Sequence, residues 1–214
     1  LLSRRQRQMC IRDRLEREED YRRVEELTRE AFDEPNYPGR DNSNDIGCPF
    51  EHWMVHALRE KDGIKELSYV AEVDGKIIGH VIYSHAYVET PEGKRVPVLN
   101  FGPLSVLPAC QRKGVGKALI GKTIEQAKAL GYGAIIFFGR PEYYPKLGFV
   151  EAAVFGITDC NGNNYPSFMA MELTDGFFDT VKGKYYESSI YDDSLNKEAV
   201  REYDKLFSSG GENI

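Results

Sequence analysis

Val106-Leu107-Pro108-Ala109-Cys110-Gln111-Arg112-Lys113-Gly114-Val115-Gly116-Lys117-Ala118-Leu119 decides the reading of this chain. An extended apolar run ends at Val106, a loop with two glycines and two basic residues follows, and a helical pattern begins at once. A helix that starts there aims unsatisfied backbone N–H groups and a positive dipole end at one spot. Gly114 and Gly116 let an anion come close to the backbone, and Arg112 and Lys113 add charge at its rim. The stretch reads as a phosphate cradle, set against the plainer reading of an ordinary glycine-bearing turn between strand and helix. Two other phosphate motifs fail on spacing. A P-loop needs GxxxxGK[ST], but Gln111 stands five before Gly116 and Ala118 follows Lys117. A dinucleotide fingerprint opens a helix after a strand, whereas Gly131-Tyr132-Gly133 follows a helix and precedes a strand.

Working outward, Val115, Leu119, Ile120, Thr123, Ile124, Ala127 and Leu130 recur at helical spacing over 116–130, and Gly131 supplies a C-terminal stop. Upstream, 67–73 and 77–88 alternate as strands around an Asp74-Gly75 hairpin turn, and 96–106 forms a third extended run broken by Gly102-Pro103. Before them, Tyr21, Val24, Leu27, Ala31 and Phe32 mark a first helix with Asp20 as its N-cap. Trp53, Val55, His56 and Leu58 mark a second, after a loop over 34–48 rich in Pro, Gly, Asn and Asp. Residues 15–20 read as the end of a first strand. Downstream, 134–138 is a buried strand, 141–146 a short helical turn, and 149–155 and 168–173 are further strands. From Thr174 the chain is rich in aromatic residues and closes on a helical pattern at Leu195, Ala199, Tyr203, Leu206 and Phe207, which argues for packing on the domain.

A second segment, Gly139-Arg140-Pro141-Glu142-Tyr143-Tyr144-Pro145-Lys146-Leu147-Gly148-Phe149, lies one helix and one strand after the cradle. Gln111 to Gly116 resembles the Q/R-x-x-G-x-G/A signature of the GNAT superfamily of N-acetyltransferases. Tyr144, four before Gly148, is similar to that family's Y-x-x-x-G-F segment, in the manner of its predicted-acetyltransferase branch. The likeness covers residues 15–173 by element order. It implies an α+β fold in αβα layers, the GNAT acyl-CoA N-acyltransferase fold, with a mixed central sheet flanked by helices. The domain would span 14–173, with 174–214 an extension packed on it and its last residues flexible.

The resemblance also implies chemistry. Acetyl-CoA would be the co-substrate, its pyrophosphate on the backbone N–H groups of Arg112, Lys113, Gly114, Val115 and Gly116, with Gln111 and Lys117 at the edge. Its pantetheine arm would lie along Leu104, Ser105 and Val106 like an added strand. A backbone N–H near Leu104 would polarise the acetyl carbonyl, an amine would attack directly in a ternary complex, and Tyr144 would protonate the departing thiolate. The general base does not carry over. Asn100, eleven before Gln111, stands where some members carry glutamate, and an amide is no useful proton acceptor. His80, His85, Glu89, Glu142 and a chain of waters are the alternatives. The implied acceptor is a small-molecule amine. An acyltransferase that uses a longer acyl-CoA or an acyl-carrier donor, and a CoA-binding sensor without turnover, are the other readings.

Composition narrows the rest. The chain has 214 residues, 41% hydrophobic and 29% charged, with net charge −6, enough for one domain with a full core. No apolar run approaches the roughly 20 residues of a bilayer span. Residues 1–13 (LLSRRQRQMCIRD) fit no leader peptide. Residues 4–13 back-translate as CGT CGG CAG CGT CAG ATG TGT ATA AGA GAC, which resembles a transposase-library sequencing adapter, so 1–13 are expected to be non-native. Without them 24 basic residues face 33 acidic ones, a net charge of −9 that disfavours nucleic acid and anionic membrane as partners. Four cysteines without a CxxC pair suggest a reducing compartment, the cytoplasm. His52 and His56 are spaced i, i+4, but Trp53 stands where a zinc-protease helix needs glutamate, so no metal is expected. Monomer and homodimer are both open.

Overall fold

The computed structural model describes residues 11–33 and 48–208. Its centre is an antiparallel meander of β2 (Tyr69–Val73), β3 (Lys76–Glu89) and β4 (Arg95–Val106). Asp74 and Gly75 both take positive φ, 50° and 73°, giving the two-residue turn whose twist suits a hairpin. Strand β1 (Arg12–Leu15) pairs with β2, Arg12 opposite Glu72 and Leu15 opposite Tyr69.

The first strand therefore lies earlier than the sequence suggested, and Glu18–Asp20 is a 3-10 turn. The reason is Asp20. Its carboxylate does not cap the helix; it takes the Arg14 guanidinium at 2.6 and 3.0 Å and the Arg17 N–H at 2.9 Å, folding the chain back between strand and helix. Strand β1 includes Arg12 and Asp13, two of the residues expected to be non-native, since strand pairing asks for backbone groups and not for particular side chains. Asp13 fits its place poorly. Its Oδ1 is buried without a hydrogen-bond partner, and burial raises the carboxyl pKa.

Helix α3 (Val115–Ala129) covers one face of the sheet and buries Val115, Leu119, Ile120, Thr123 and Ala127 of the stripe read in the sequence, while Ile124 is half-buried and Leu130, past the helix end, is exposed. It packs on Tyr83, Leu99 and Phe101, and Thr123 Oγ1 meets the Tyr83 hydroxyl at 2.9 Å. Helices α1 (Tyr21–Phe32) and α2 (Glu51–Glu60) cover the other face, with Val24, Leu27, Val55 and Leu58 against Val70 and Ile82. The expected loop over 34–48 falls outside the described residues except for Cys48. The architecture is α+β, helices on both faces of a mixed sheet.

Strand β4 continues through Gly102-Pro103, with an irregularity. Val81 pairs with Leu104 and Tyr83 with Phe101, so β3 advances two residues while β4 advances three. This bulge resets the alternation of side chains. Leu99 and Phe101 point to the α3 face before it, Leu104 and Val106 after it. Strand β5 (Ala134–Phe138) runs parallel to β4 and meets it in register at Leu99 opposite Ile135. Strand β8 (Phe168–Glu172) pairs along β5, and β6 (Val150–Glu151) pairs with β8.

The strand expected over 149–155 is corrected to the two residues of β6. Ala152–Phe155 winds into a 3-10 turn that Gly156 ends at φ 72°, and a short β7 (Ile157–Thr158) follows. Beyond Thr174 come α4 (Phe177–Thr180), β9 (Gly183–Tyr186) and α5 (Asp193–Ser208). Strand β9 pairs with the far half of β3, Tyr87 opposite Tyr186, and with β7. Helix α5 lies on α1 and α2. Asp204 takes Arg29 Nε at 2.7 Å and stands 3.2 Å from His52 Nε2, while the His56 ring stacks on Tyr203 at 4.6 Å. The i, i+4 histidines thus seat a helix. Among the described residues no group of three or more His, Cys, Asp or Glu could hold a metal ion, and no helix is long and apolar enough to cross a membrane.

Candidate active site

One cavity of about 930 Å³ joins the two motifs. At one end stands the start of α3. Arg112 takes φ 58° and Gly114 φ 91°, so the loop turns sharply into the helix, and Ala118 N donates to Gly114 O at 3.0 Å. The N–H groups of Val115, Gly116 and Lys117 precede that first helical bond and point out of the helix end. A side chain at Gly114 would meet nothing within 4 Å, so this backbone faces open space that an anion can fill. At Gly116 the Tyr143 hydroxyl would lie 2.9 Å from an added Cβ; the glycine lets Tyr143 close over the cradle. Burial raises the Tyr143 pKa.

The middle of the cavity is the gap between β4 and β5. The two strands meet in register at Leu99 and then diverge, so the β5-facing edge of β4 from Asn100 to Val106 borders a cleft. An extended chain of suitable length can pair with such an edge as an extra strand would. Tyr144 lies in this gap. Its ring stands edge-on to Phe137 at 4.6 Å and Phe101 at 5.6 Å, and Tyr143 and Phe149 close the cluster. Gly139 makes this packing possible, because an added Cβ would strike the Phe137 ring and lie 2.5 Å from the Tyr144 ring.

The other end belongs to α1, α2 and the C-terminal segment. Ala31, Phe32, Glu51 and Met54 line it with Asn100, Glu187 and Tyr191. Asn100 Nδ2 donates to Glu187 Oε2 at 2.7 Å, and the Tyr185 hydroxyl lies 3.2 Å from the same oxygen and 3.0 Å from the Ile136 carbonyl. Tyr191 donates to Gly102 O at 3.2 Å and meets Ser84 Oγ at 3.0 Å. Burial pushes the Glu187 carboxyl up to about 7, against the hydrogen bonds of Tyr185 and Asn100, which hold it down. The charges are sorted along the cavity. Arg112 and Lys117 stand at the α3 end, Arg140, Glu142 and Lys146 on the segment that carries Tyr144, and Glu51 and Glu187 at the far end.

Of the residues singled out in the sequence, Leu104, Val106, Gln111, Arg112, Gly114, Val115, Gly116, Lys117 and Tyr144 line this cavity. The side chains of two others do not. Ser105 points to the opposite face, where its hydroxyl meets Thr28 of α1 at 2.9 Å, so only its backbone borders the gap. Lys113 folds back on the loop, Nζ donating to Ala109 O at 2.6 Å. Gln111 is partly engaged as well, donating to Val106 O at 3.2 Å. The candidate bases named from the sequence divide likewise. Glu142 lines the cavity. His80 is buried beside Ser68 and Glu16, and Glu89 pairs with Arg95, both away from it. His85 lies on β3 opposite Leu99 and does not line it. Sequence reasoning missed Tyr143, Glu187 and Tyr191. The dense aromatic content of the tail was the available signal, and it was read as packing.

The sequence profile of the acetyltransferase (GNAT) family matches residues 21–149. Among curated relatives, the uncharacterized N-acetyltransferase YjhQ of Escherichia coli (strain K12) is 33% identical over 111 residues, 50% of this chain and 60% of YjhQ. The uncharacterized N-acetyltransferase YhbS of the same strain is 29% identical over 137 residues, 63% of this chain and 80% of YhbS. The match thus spans less than two thirds of YjhQ. Among solved structures, YhbS from Escherichia coli in complex with CoA superposes with a TM-score of 0.72 at 23% identity, covering 85% of this chain and 92% of that one. A GNAT family acetyltransferase from Brucella melitensis in complex with acetyl-CoA superposes with a TM-score of 0.64 at 26% identity, covering 86% and 99%.

Proposed function

This chain belongs to the acetyltransferase (GNAT) family, and from that premise we propose that it transfers the acetyl group of acetyl-CoA to a primary amine of a small molecule, in the cytoplasm. The observation that carries the reading is the joining of the α3 cradle to the diverging edge of β4 in one cavity. The cradle offers three outward N–H groups and two cations to a pyrophosphate, and the β4 edge offers a partner for the amide-bearing arm. Two solved relatives of this fold hold CoA or acetyl-CoA, which supports the same donor here. The sorting of charge supports the direction of transfer, with phosphates at the basic end and a cationic amine entering beside Glu51 and Glu187.

The β4 backbone next to Leu104 orients the thioester so that its carbonyl oxygen accepts an N–H bond, which stabilises the oxyanion formed when the amine attacks. Holding both reactants in one gap makes the step effectively unimolecular. Tyr144 gives the leaving sulfur its proton, and the rings of Phe101, Phe137 and Phe149 fix where the phenol points.

The test is amine-dependent release of CoA thiol, with the acetylated product identified by mass spectrometry. Tyr144→Phe is expected to lower kcat by about 10²-fold with CoA affinity unchanged. A protein that binds acetyl-CoA and acetylates no amine, or a Tyr144→Phe variant as fast as wild type, would overturn the assignment.

A further inference from the structure

We propose that Glu187, contributed by the C-terminal segment outside the matched family region, is the general base that deprotonates the acceptor amine. This rests on the transferase reading above. Three observations carry it. First, Glu187 lines the same cavity as Tyr144, at the end opposite the phosphate cradle, where an acceptor must enter. Second, it is held in place. Asn100 donates to Oε2 at 2.7 Å and the Tyr185 hydroxyl lies 3.2 Å from the same atom, so both contacts fall on one oxygen and Oε1 is the oxygen they leave for an incoming proton. Third, Asn100 belongs to β4, the strand whose edge borders the cleft, and its amide holds the carboxylate against that strand in the cavity. The carboxylate comes from 87 residues away.

The route by which the tail delivers it is visible. Strand β9 pairs with β3 on the edge away from β4, and Tyr185 passes beneath the sheet to reach Ile136 of β5. Glu187, two residues on, points the same way and ends at Asn100. Ser188 Oγ then donates to Asp62, and Tyr191 bonds Gly102 and Ser84, which pins the segment after the base as Tyr185 pins it before.

The proton balance is simple. The acceptor arrives as an ammonium ion and loses one proton to Glu187, freeing its lone pair. The nitrogen bonds to the acetyl carbon as the carbonyl π pair moves to oxygen. On collapse the C=O re-forms, the C–S bond breaks, and the second N–H proton ends on the thiolate by way of Tyr144. Glu187 returns its proton to solvent.

The groups around it come from several elements. Tyr185 of its own segment and Asn100 of β4 hydrogen-bond the carboxyl, Tyr191 lies near it with Asp62 beyond, and Glu51, Arg140 and Glu142 line the same cavity. Burial, opposed by the Tyr185 and Asn100 hydrogen bonds, holds the carboxyl near neutrality, the range in which a base is both ionised and effective.

The experiment uses the whole chain with acetyl-CoA and three probe amines, tyramine, spermidine and glycinamide, followed by thiol release across pH. A carboxyl-carbon NMR titration of glutamate-labelled protein accompanies it. Glu187→Gln is expected to lower kcat about 10²–10⁴-fold and to remove the rising limb near pH 7, with CoA affinity unchanged. Glu187→Asp restores part of the rate. Asn100→Leu, which removes a hydrogen bond to the charged form, moves the limb to higher pH, a shift that a purely structural role would not produce. The NMR signal missing from Glu187→Gln should titrate at about 7. An unchanged rate and pH profile in Glu187→Gln, or a Glu187 signal titrating near the ordinary 4.5, would overturn the proposal. If wild type binds CoA and acetylates none of the probes, the transferase reading fails, and the titration alone then decides for or against the environment claimed for Glu187.

Discussion

Gly139→Ala puts the placement of Tyr144 under direct strain. The new methyl would strike the Phe137 ring and stand 2.5 Å from the Tyr144 ring, in a cluster that also contains Phe101 and Phe149. The backbone cannot swing away, since Gly139 N is tied to Ser167 O at 2.8 Å and Phe138 is in the β5 ladder. Phe137 is 1% exposed and fixed in the core, so Tyr144, at the cavity wall, is the ring that gives way. Overpacking of this kind costs about 1–3 kcal/mol. In a chain of this size that lowers Tm by about 2–10 °C. Displacing the phenol by about 1 Å is worth about 10²-fold in turnover. The α3 cradle is untouched, so CoA affinity should stay within about threefold, on the order of 0.6 kcal/mol. The assays are thermal unfolding, calorimetric titration of CoA and thiol-release kinetics. Gly121→Ala is the control: it lies on α3 with nothing within 4 Å of an added Cβ, and it should gain up to about 1 kcal/mol of stability. A Gly139→Ala protein with wild-type turnover, or one that loses turnover only in proportion to CoA binding, would refute the argument that Gly139 exists to seat Tyr144.

Ser105→Ala should leave CoA affinity unchanged, because the hydroxyl faces α1, and cost about 1 kcal/mol in urea unfolding by depriving Thr28 of a buried partner; a tenfold loss of CoA affinity would show that the side chain faces the ligand. Asp13→Val should raise stability by about 1 kcal/mol by removing a buried, unpartnered carboxylate oxygen, and a lower Tm would contradict this. Burial lowers the His52 pKa to about 4, with Asp204 opposing the shift. The unfolded chain takes up a proton near 6.5 that the folded chain refuses until about 4, so this contribution to stability is complete above pH 6.5 and falls as pH drops toward 4. At pH 5 the loss is on the order of 2 kcal/mol, and His52→Phe, which keeps the ring packing on Tyr203 and Phe207, should abolish it.

The cofactor end of the site was legible because its parts are contiguous in the chain. A strand end, two glycines and a helix start dictate where the N–H groups point, whatever the rest of the fold does. The faces of β4 were less legible. Simple alternation cannot tell that Ser105 and Asn100 lie on one side while Leu104 and Phe101 lie on the other, since the bulge at Gly102-Pro103 shifts the count by one. The acceptor end was not legible at all. Glu187 becomes a neighbour of Asn100 because β9 adds to the far edge of β3, and no local pattern in the four residues Gly183–Tyr186 announces that pairing. The first strand failed for a related reason, as Asp20 spends its carboxylate on Arg14 and Arg17 and the chain turns earlier than a helix cap would require.

Calorimetric titration of acetyl-CoA into the chain, beside a Gly114→Glu variant, tests the central claim most directly. Gly114 begins the cradle and has open space around an added Cβ, so the variant adds a carboxylate beside the place assigned to the pyrophosphate; because φ 91° strains any side chain there, Gly114→Ala is titrated alongside, and the charge effect is the loss beyond that of the alanine. At about 5 Å and an effective dielectric constant of about 20, one such pair of like charges costs about 3 kcal/mol, close to a hundredfold in affinity. The expected result is a Kd on the order of micromolar for wild type and a loss of about 10²-fold in a variant that still unfolds cooperatively. Folded wild type that binds no acetyl-CoA, or equal binding by both proteins, would contradict the assignment of the cradle and of everything built upon it.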